Sequence, residues 1–242
     1  MRVPRFYCAT LAPSSSPIIL PDEVFRHAVQ VLRMKPGAVL SLFDGKGLEY
    51  QAQLEQVDKR QATVNLLQQI NTDNESPLDI LLMQGISRGE RMDYAIQKAV
   101  ELGVKRIMPV VTARCNVQLS GDRADKRLNH WQGVVISACE QSGRSFIPEL
   151  LPITTLDEAL AEVNDGCRLV LDPEAVQGFS SVNKASQIAL LIGPEGGLSE
   201  TEVQQAIDAG FTGISLGPRI LRTETASAAA LAMVQAGWGD IG

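Results

Sequence analysis

The stretch Leu190-Leu191-Ile192-Gly193-Pro194-Glu195-Gly196-Gly197-Leu198-Ser199-Glu200-Thr201-Glu202 passes from an apolar run through a Gly/Pro loop into a helix start. Gln187 to Ile192 has the length and apolarity of a buried strand. Gly193, Gly196 and Gly197 open backbone angles closed to other residues and let a ligand approach the main chain. Ser199 followed by Glu202 matches a capping box, which predicts a helix from Ser199. Val203, Ala206 and Ile207 give that helix an apolar face, and Gly210 ends it. Alone, this is also an ordinary strand-turn-helix connection. A second stretch, Leu216-Gly217-Pro218-Arg219-Ile220-Leu221-Arg222-Thr223-Glu224-Thr225-Ala226, repeats the plan and leads into the very apolar helix Thr225 to Ala236. Open α/β sheets bind ligands in loops at the carboxyl ends of their strands. Two such loops, each carrying charges among its glycines, mark this end of the chain as the candidate site.

Working outward, strands and helices alternate from Leu78 on. Strands are expected at Asp79 to Gln84, Arg106 to Val111, Cys167 to Leu171, Gln187 to Ile192 and Thr212 to Leu216. Helices are expected at Arg91 to Leu102, Arg123 to Gln141, Leu156 to Val163, Ser199 to Ala209 and Thr225 to Ala236, the first closed by Gly103. This alternation implies a parallel sheet covered by helices. Asn71 to Pro77 is polar and turn-rich and reads as a linker. Before it the pattern is mostly β: Val39 to Phe43, a turn at Asp44-Gly45-Lys46-Gly47, Leu48 to Val57 and Ala62 to Leu67. One helix is expected at Pro21 to Leu32, with Val24, Ala28, Val31 and Leu32 on one face. The expected domains are a small β domain, residues 1–72, a linker, 73–77, and an α/β domain, 78–242.

The 242 residues suffice for one large or two modest domains, and 45% hydrophobic content supplies a core. No apolar run approaches the roughly 20 residues that span a membrane. Pro13 and the serines after it break any signal-peptide core, so a cytoplasmic location is expected. Cys8, Cys115, Cys139 and Cys167 are scattered without CxxC spacing, and only His27 and His130 are present, so no metal site is expected. Neither GxGxxG after a first strand nor GxxxxGK[ST] occurs. The net charge of −6 speaks against nucleic acid, but it is uneven. Residues 1–75 balance to zero, 88–144 carry +4 and 145–242 carry −9. A locally basic surface on an acidic protein still engages phosphates, and a solvated helix surface accounts for the same charges.

The pair GPEGG and LGPRILRTETA resembles the SPOUT class of S-adenosylmethionine-dependent RNA methyltransferases, and within it the RsmE family, which methylates N3 of a uridine in 16S ribosomal RNA. Gln97 to Val104, Glu140-Gln141-Ser142-Gly143-Arg144, His27 to Arg33 and Phe43-Asp44-Gly45 are similar to that family as well, so the likeness spans nearly the whole chain. The resemblance implies an N-terminal PUA-like β-barrel that binds RNA. It also implies a C-terminal parallel sheet threaded as a trefoil knot, a device no sequence pattern would suggest. It further implies a homodimer, with the last helix at its interface.

Three late loops would hold the cofactor. The positions are Leu171 and Asp172, then Ile192, Gly193, Pro194, Gly196 and Gly197, then Leu216, Gly217, Ile220, Leu221, Thr225 and Ala226. Methylating an imide nitrogen requires a held methyl donor, loss of the N3 proton and stabilisation of charge on the flanking carbonyls. Arg222 is suited to the carbonyl oxygens or a phosphate, and Glu195 or Glu224 to the proton. Glu224 serves equally well as a helix N-terminal acid, and Arg222 as a surface ion-pair partner. Gln141 and Arg144, with Arg88, Arg91 and Lys98, are the expected RNA contacts; for the last three a plain solvent-facing role fits as well. Two rival readings remain at this level. One is a SPOUT enzyme acting on another nucleotide, the other a non-enzymatic ribosome-assembly factor that binds RNA.

Overall fold

A computed structural model describes residues 3–71, 74–115 and 121–242. By its contacts the chain divides into two units, Met1–Glu75 with Cys139–Ile147, and Ser76–Ala138 with Pro148–Gly242. The boundary near Glu75 falls inside the expected linker, of which Asp73 lies outside the described residues. Residues 139–147, which the sequence pattern places in the α/β domain, make their contacts with the first unit.

The first unit contains β1 (Arg5–Tyr7), β2 (Ile18–Ile19), α1 (Asp22–Phe25), β3 (Val39–Phe43), β4 (Glu49–Val57) and β5 (Ala62–Gln69). Its sheet runs β1-β3-β4-β5-β2, with β1 parallel to β3 and the other pairs antiparallel. Two register shifts between β4 and β5 bend the ladder. The sheet closes over Phe6, Leu20, Val24, Leu40, Leu42, Leu54 and Val64. The expected helix from Pro21 to Leu32 is corrected here: α-helix covers only Asp22–Phe25, and Arg26–Val31 is π-helical. The wider π turn shifts the phase of the side chains. Val24 and Ala28 stay buried while Val31, expected beside them, is 67% exposed. A buried ion pair anchors residues 139–147 within this unit. Arg5 donates to both carboxylate oxygens of Glu49 (2.9 and 2.7 Å) and to the Cys139 carbonyl (2.8 Å). Ser145 adds a hydroxyl to Glu49 (2.7 Å).

The second unit contains β6 (Asp79–Gly85), α2 (Glu90–Glu101), β7 (Arg106–Val111), α3 (Asp122–Ser142) as far as Ala138, β8 (Glu149–Leu150), β9 (Thr154–Thr155), α4 (Leu156–Glu162), β10 (Cys167–Leu171), β11 (Gln187–Ile192), α5 (Glu200–Asp208), β12 (Thr212–Ile214) and α6 (Thr223–Trp238). Its sheet runs β12-β10-β11-β6-β7-β8, with β9 also beside β7, and every pair is parallel. Parallel strands are covered on both faces, and β6 is buried along nearly its whole length for that reason. Leu81 and Met83 join Val110, Leu160, Val170, Leu191 and Phe211 in one core layer. The chain lays β6 and β7 side by side, then crosses the sheet and returns, so β11 lies between β10 and β6. The carboxyl ends of β10, β11 and β12 therefore sit next to one another.

Both halves of the capping box at Ser199 and Glu202 are formed, so α5 starts where the sequence puts it. The last helix starts at Thr223 rather than Thr225. Arg222 becomes its N-cap residue without a side-chain capping bond, and the Thr223 hydroxyl bonds outside the helix instead.

Candidate functional site

Three loops leave the adjacent strand ends: Asp172-Pro173-Glu174 after β10, Gly193 to Leu198 after β11, and Ser215 to Leu221 after β12. With one side of α5 they line a cavity of about 690 Å³, the size of a small-molecule site. The expected cofactor positions Leu171, Asp172, Ile192, Gly193, Pro194, Gly196, Gly197, Leu216, Gly217, Ile220, Leu221 and Ala226 all line it, as does Glu195. Thr225, Arg222 and Glu224 are not among its lining residues. Thr225 and Arg222 are exposed, and the Arg222 guanidinium has no hydrogen-bond or ion-pair partner among the described residues. Glu224 keeps one carboxylate oxygen buried without a partner among the described residues.

Sequence reasoning missed several cavity residues. Val203 and Ile207, read only as part of an apolar face of α5, line the cavity. Arg219 reaches the wall where Arg222 does not. Arg114 lines it from the loop after β7, itself a carboxyl strand end, and that rule would have pointed there.

The loop after β11 is held from four sides. Gly197 N–H donates to Pro194 O (2.8 Å) and closes a tight turn, with Gly197 at φ +68° where only glycine is at ease. A Cβ on Gly193 would lie 2.7 Å from the Leu198 nitrogen, so the loop folds back on its own first residue. Arg114 Nη1 donates to Gly196 O (2.8 Å) and Leu198 O (3.1 Å). Glu202, mostly buried, accepts the Ala113 N–H (2.6 Å) with one oxygen and the Ser199 N–H (2.8 Å) with the other. The Glu195 carboxylate accepts the Arg88 N–H (2.7 Å) and an Arg91 guanidinium N–H (3.2 Å). Burial pushes the Glu195 carboxyl up, but these donors and its own backbone outweigh that and hold it below the usual carboxylate range. It is an ionised anchor.

The charged residues on the wall are the acids Asp172, Glu174, Glu195 and Glu200 and the cations Arg114 and Arg219. Acids outnumber cations, which favours a positively charged ligand. Leu171, Ile192, Val203, Ile214 and Leu216 supply apolar surface for a flat ring.

The expected RNA contacts do not form one set. Arg144 is 4% exposed and donates to Glu75 through Nε (3.0 Å) and Nη2 (2.6 Å), so its charge is spent inside the first unit. Lys98 pairs with Glu101 on its own helix (2.8 Å). Gln141 is exposed, and Arg88 and Arg91 stand at the Glu195 anchor.

A family model for the RNA methyltransferase domain matches residues 74–235, and one for the RNA methyltransferase PUA domain matches residues 20–67. The chain is 36% identical to a ribosomal RNA small subunit methyltransferase E from Buchnera aphidicola, over 99% of this chain and 98% of that protein. It is 31% identical to the Bacillus subtilis protein of the same name, over 88% and 87% of the two. The crystal structure of that methyltransferase from Neisseria gonorrhoeae, bound to S-adenosylmethionine, is 45% identical and matches at a TM-score of 0.93 over 100% of both chains. A Legionella pneumophila methyltransferase in complex with the same cofactor is 39% identical, at a TM-score of 0.96 over 100% of both.

Proposed function

The chain belongs to the ribosomal RNA small subunit methyltransferase E family, and on that premise we propose that it transfers a methyl group from S-adenosylmethionine to small-subunit ribosomal RNA. The observation that carries the reading is the cavity at the carboxyl ends of β10, β11 and β12, walled by the backbone of two glycine loops. Its residues fit this cofactor. The cavity is large enough, its apolar wall suits adenine, glycines admit a ligand to the main chain, and the excess of acids suits a sulfonium cation. S-adenosylmethionine, when bound, supplies an electrophilic methyl group.

The chain's own residues do the rest. Backbone groups of Gly193 to Gly197 and Gly217 to Leu221 hold the cofactor, and the apolar wall excludes water. Arg219 on the wall and Arg222, between the wall residues Leu221 and Thr223 in the chain, are the cations that meet the acceptor base. Their task is to draw off charge from the carbonyl oxygens as the N3 proton leaves. Of the two carboxylates, Glu195 is held as an anion by three donors and orders the loop. Glu224, next in the chain to the wall residue Thr223, is the carboxylate left to take the proton. The family resemblance makes the acceptor N3 of a uridine in 16S ribosomal RNA. It also makes the sheet a trefoil knot and residues 1–72 the RNA-binding domain. The site of action is then the cytoplasm. Among the described residues, no helix is long and apolar enough to cross a membrane.

We also propose a homodimer. Along α6, Ala229, Met233 and Ala236 form an apolar strip that the chain does not fully cover, and Met233 is 39% exposed.

Transfer of a labelled methyl group to small-subunit ribosomal RNA tests the function. The intact protein labels the RNA. Gly196→Val, whose Cβ would already lie 3.1 Å from Arg114 Cβ, folds but does neither transfer nor cofactor binding. A parent protein that binds the cofactor but labels no ribosomal RNA overturns the substrate assignment.

A further inference from the structure

At the end of β6 the side chain of Gln84 is fully buried, an unusual place for an amide. Its neighbours leave it one orientation. The Gly193 carbonyl can only accept, so the Thr223 hydroxyl, 2.6 Å away, must donate to it. With its proton spent, Thr223 Oγ1 can only accept from Gln84, and the amide nitrogen faces it at 3.1 Å. The second amide proton goes to Gly85 O (3.1 Å). The amide oxygen is left facing Ser227, whose hydroxyl donates to it at 2.6 Å. The donors run one way: Ser227 to Gln84 to Thr223 to Gly193.

This chain of bonds joins the first residue of the loop after β11 to the first turn of α6, which the loop after β12 feeds. Thr223 and Gly193 both line the cavity. The backbone is equally close there, since a Cβ on Gly85 would lie 2.6 Å from the Pro194 nitrogen. Every polar group in the chain is satisfied, and such a network rigidifies what it connects.

We propose that Gln84 is the positioning residue of the cofactor site: through Thr223 it locks the two glycine loops into one rigid cradle before any ligand arrives. Its affinity arm rests on the cofactor reading above; its structural arm does not. Gln84 contacts neither the cavity nor the reacting atoms, and it acts by fixing Gly193 and the start of α6.

The test compares the full-length parent protein with Gln84→Met, Thr223→Val, the double variant and Thr223→Ser. Thermal unfolding of each checks the fold. Amide hydrogen exchange without ligand reports the cradle. Titration with S-adenosylmethionine and turnover at saturating cofactor report the site. Losing one such buried bond is expected to speed exchange at Gly196, Gly197 and the first turn of α6 by about tenfold, and to weaken the cofactor by a similar factor. β4 exchange stays near the parent's in every variant, and in Gln84→Met, whose side chain lies outside the cavity wall, saturated turnover does too. The double variant is no worse than the worse single one, because either change breaks the same chain. Thr223→Ser, which keeps the hydroxyl, recovers most of the loss. Parent-like exchange at Gly196 and Gly197 in folded Gln84→Met, or additive losses in the double variant, overturns the proposal. A parent protein that binds no cofactor refutes the functional reading instead, and the exchange rates still decide the coupling.

Discussion

Arg114→Ala isolates what a side chain outside the two glycine motifs contributes to the cofactor site. The guanidinium donates twice to the loop after β11, to Gly196 O at 2.8 Å and Leu198 O at 3.1 Å, and both bonds leave the same nitrogen. Hydrogen bonds from charged groups contribute about 1.5–3 kcal/mol each. Arg114 is exposed and one nitrogen serves both carbonyls, so the lower end applies to the pair, about 1.5 kcal/mol. The loop must hold its shape to bind, so the loss appears in affinity as roughly a tenfold rise in Kd. Global stability changes by no more than about 0.5 kcal/mol, as for other surface substitutions. Calorimetric titration with S-adenosylmethionine, beside a urea unfolding curve, measures both quantities. A Kd unchanged within error would show that the loop keeps its shape without the clasp. A large loss of stability with unchanged Kd would make Arg114 a general support of the fold.

Other outcomes follow from the ion pairs and the open helix face. Glu195 has a folded-state pKa below its ordinary value, so its anchoring of Arg88 and Arg91 is present above the normal carboxylate range and is lost as pH falls through the folded value. Cofactor affinity therefore drops on acidification in the parent, while Glu195→Gln starts weaker and loses this acid limb; parallel pH profiles would remove Glu195 from the loop's support. Glu49→Ala strands the Arg5 guanidinium, whose side chain is 9% exposed, and should cost about 3–5 kcal/mol in urea unfolding. Met233→Arg puts a charge on the uncovered strip of α6 and should yield monomers in sedimentation; an unchanged dimer moves the interface elsewhere.

Most of the α/β unit is legible in the sequence because each element carries its own signal. Gln187–Ile192 is a pure apolar run, Ser199 and Glu202 form the capping box they spell, and the strand ends at Leu171 and Ile192 place two loops at one cavity. What the sequence hides is long-range. Thr223 reads as a residue before a helix, yet its hydroxyl is drawn to Gly193, thirty positions away in the chain, and the helix starts earlier as a result. Arg144 reads as an RNA contact, but Glu75 consumes its charge. Val203 and Ile207 show the limit of amphipathic patterns, because an apolar ligand wall and an apolar core look the same from the sequence. β1 and β2 are too short to show alternation, and the π-helical phase of Arg26–Val31 has no periodic signature of its own.

The most direct test of the whole account is the chemical identity of the modified nucleoside. Small-subunit ribosomal RNA lacking the modification is incubated with the protein and S-adenosylmethionine, digested to nucleosides and analysed by fragmenting mass spectrometry. The account predicts one new methylated uridine that carries the added mass on its base and co-elutes with N3-methyluridine. A methyl group on the ribose fragment, or on a base other than uracil, would contradict it.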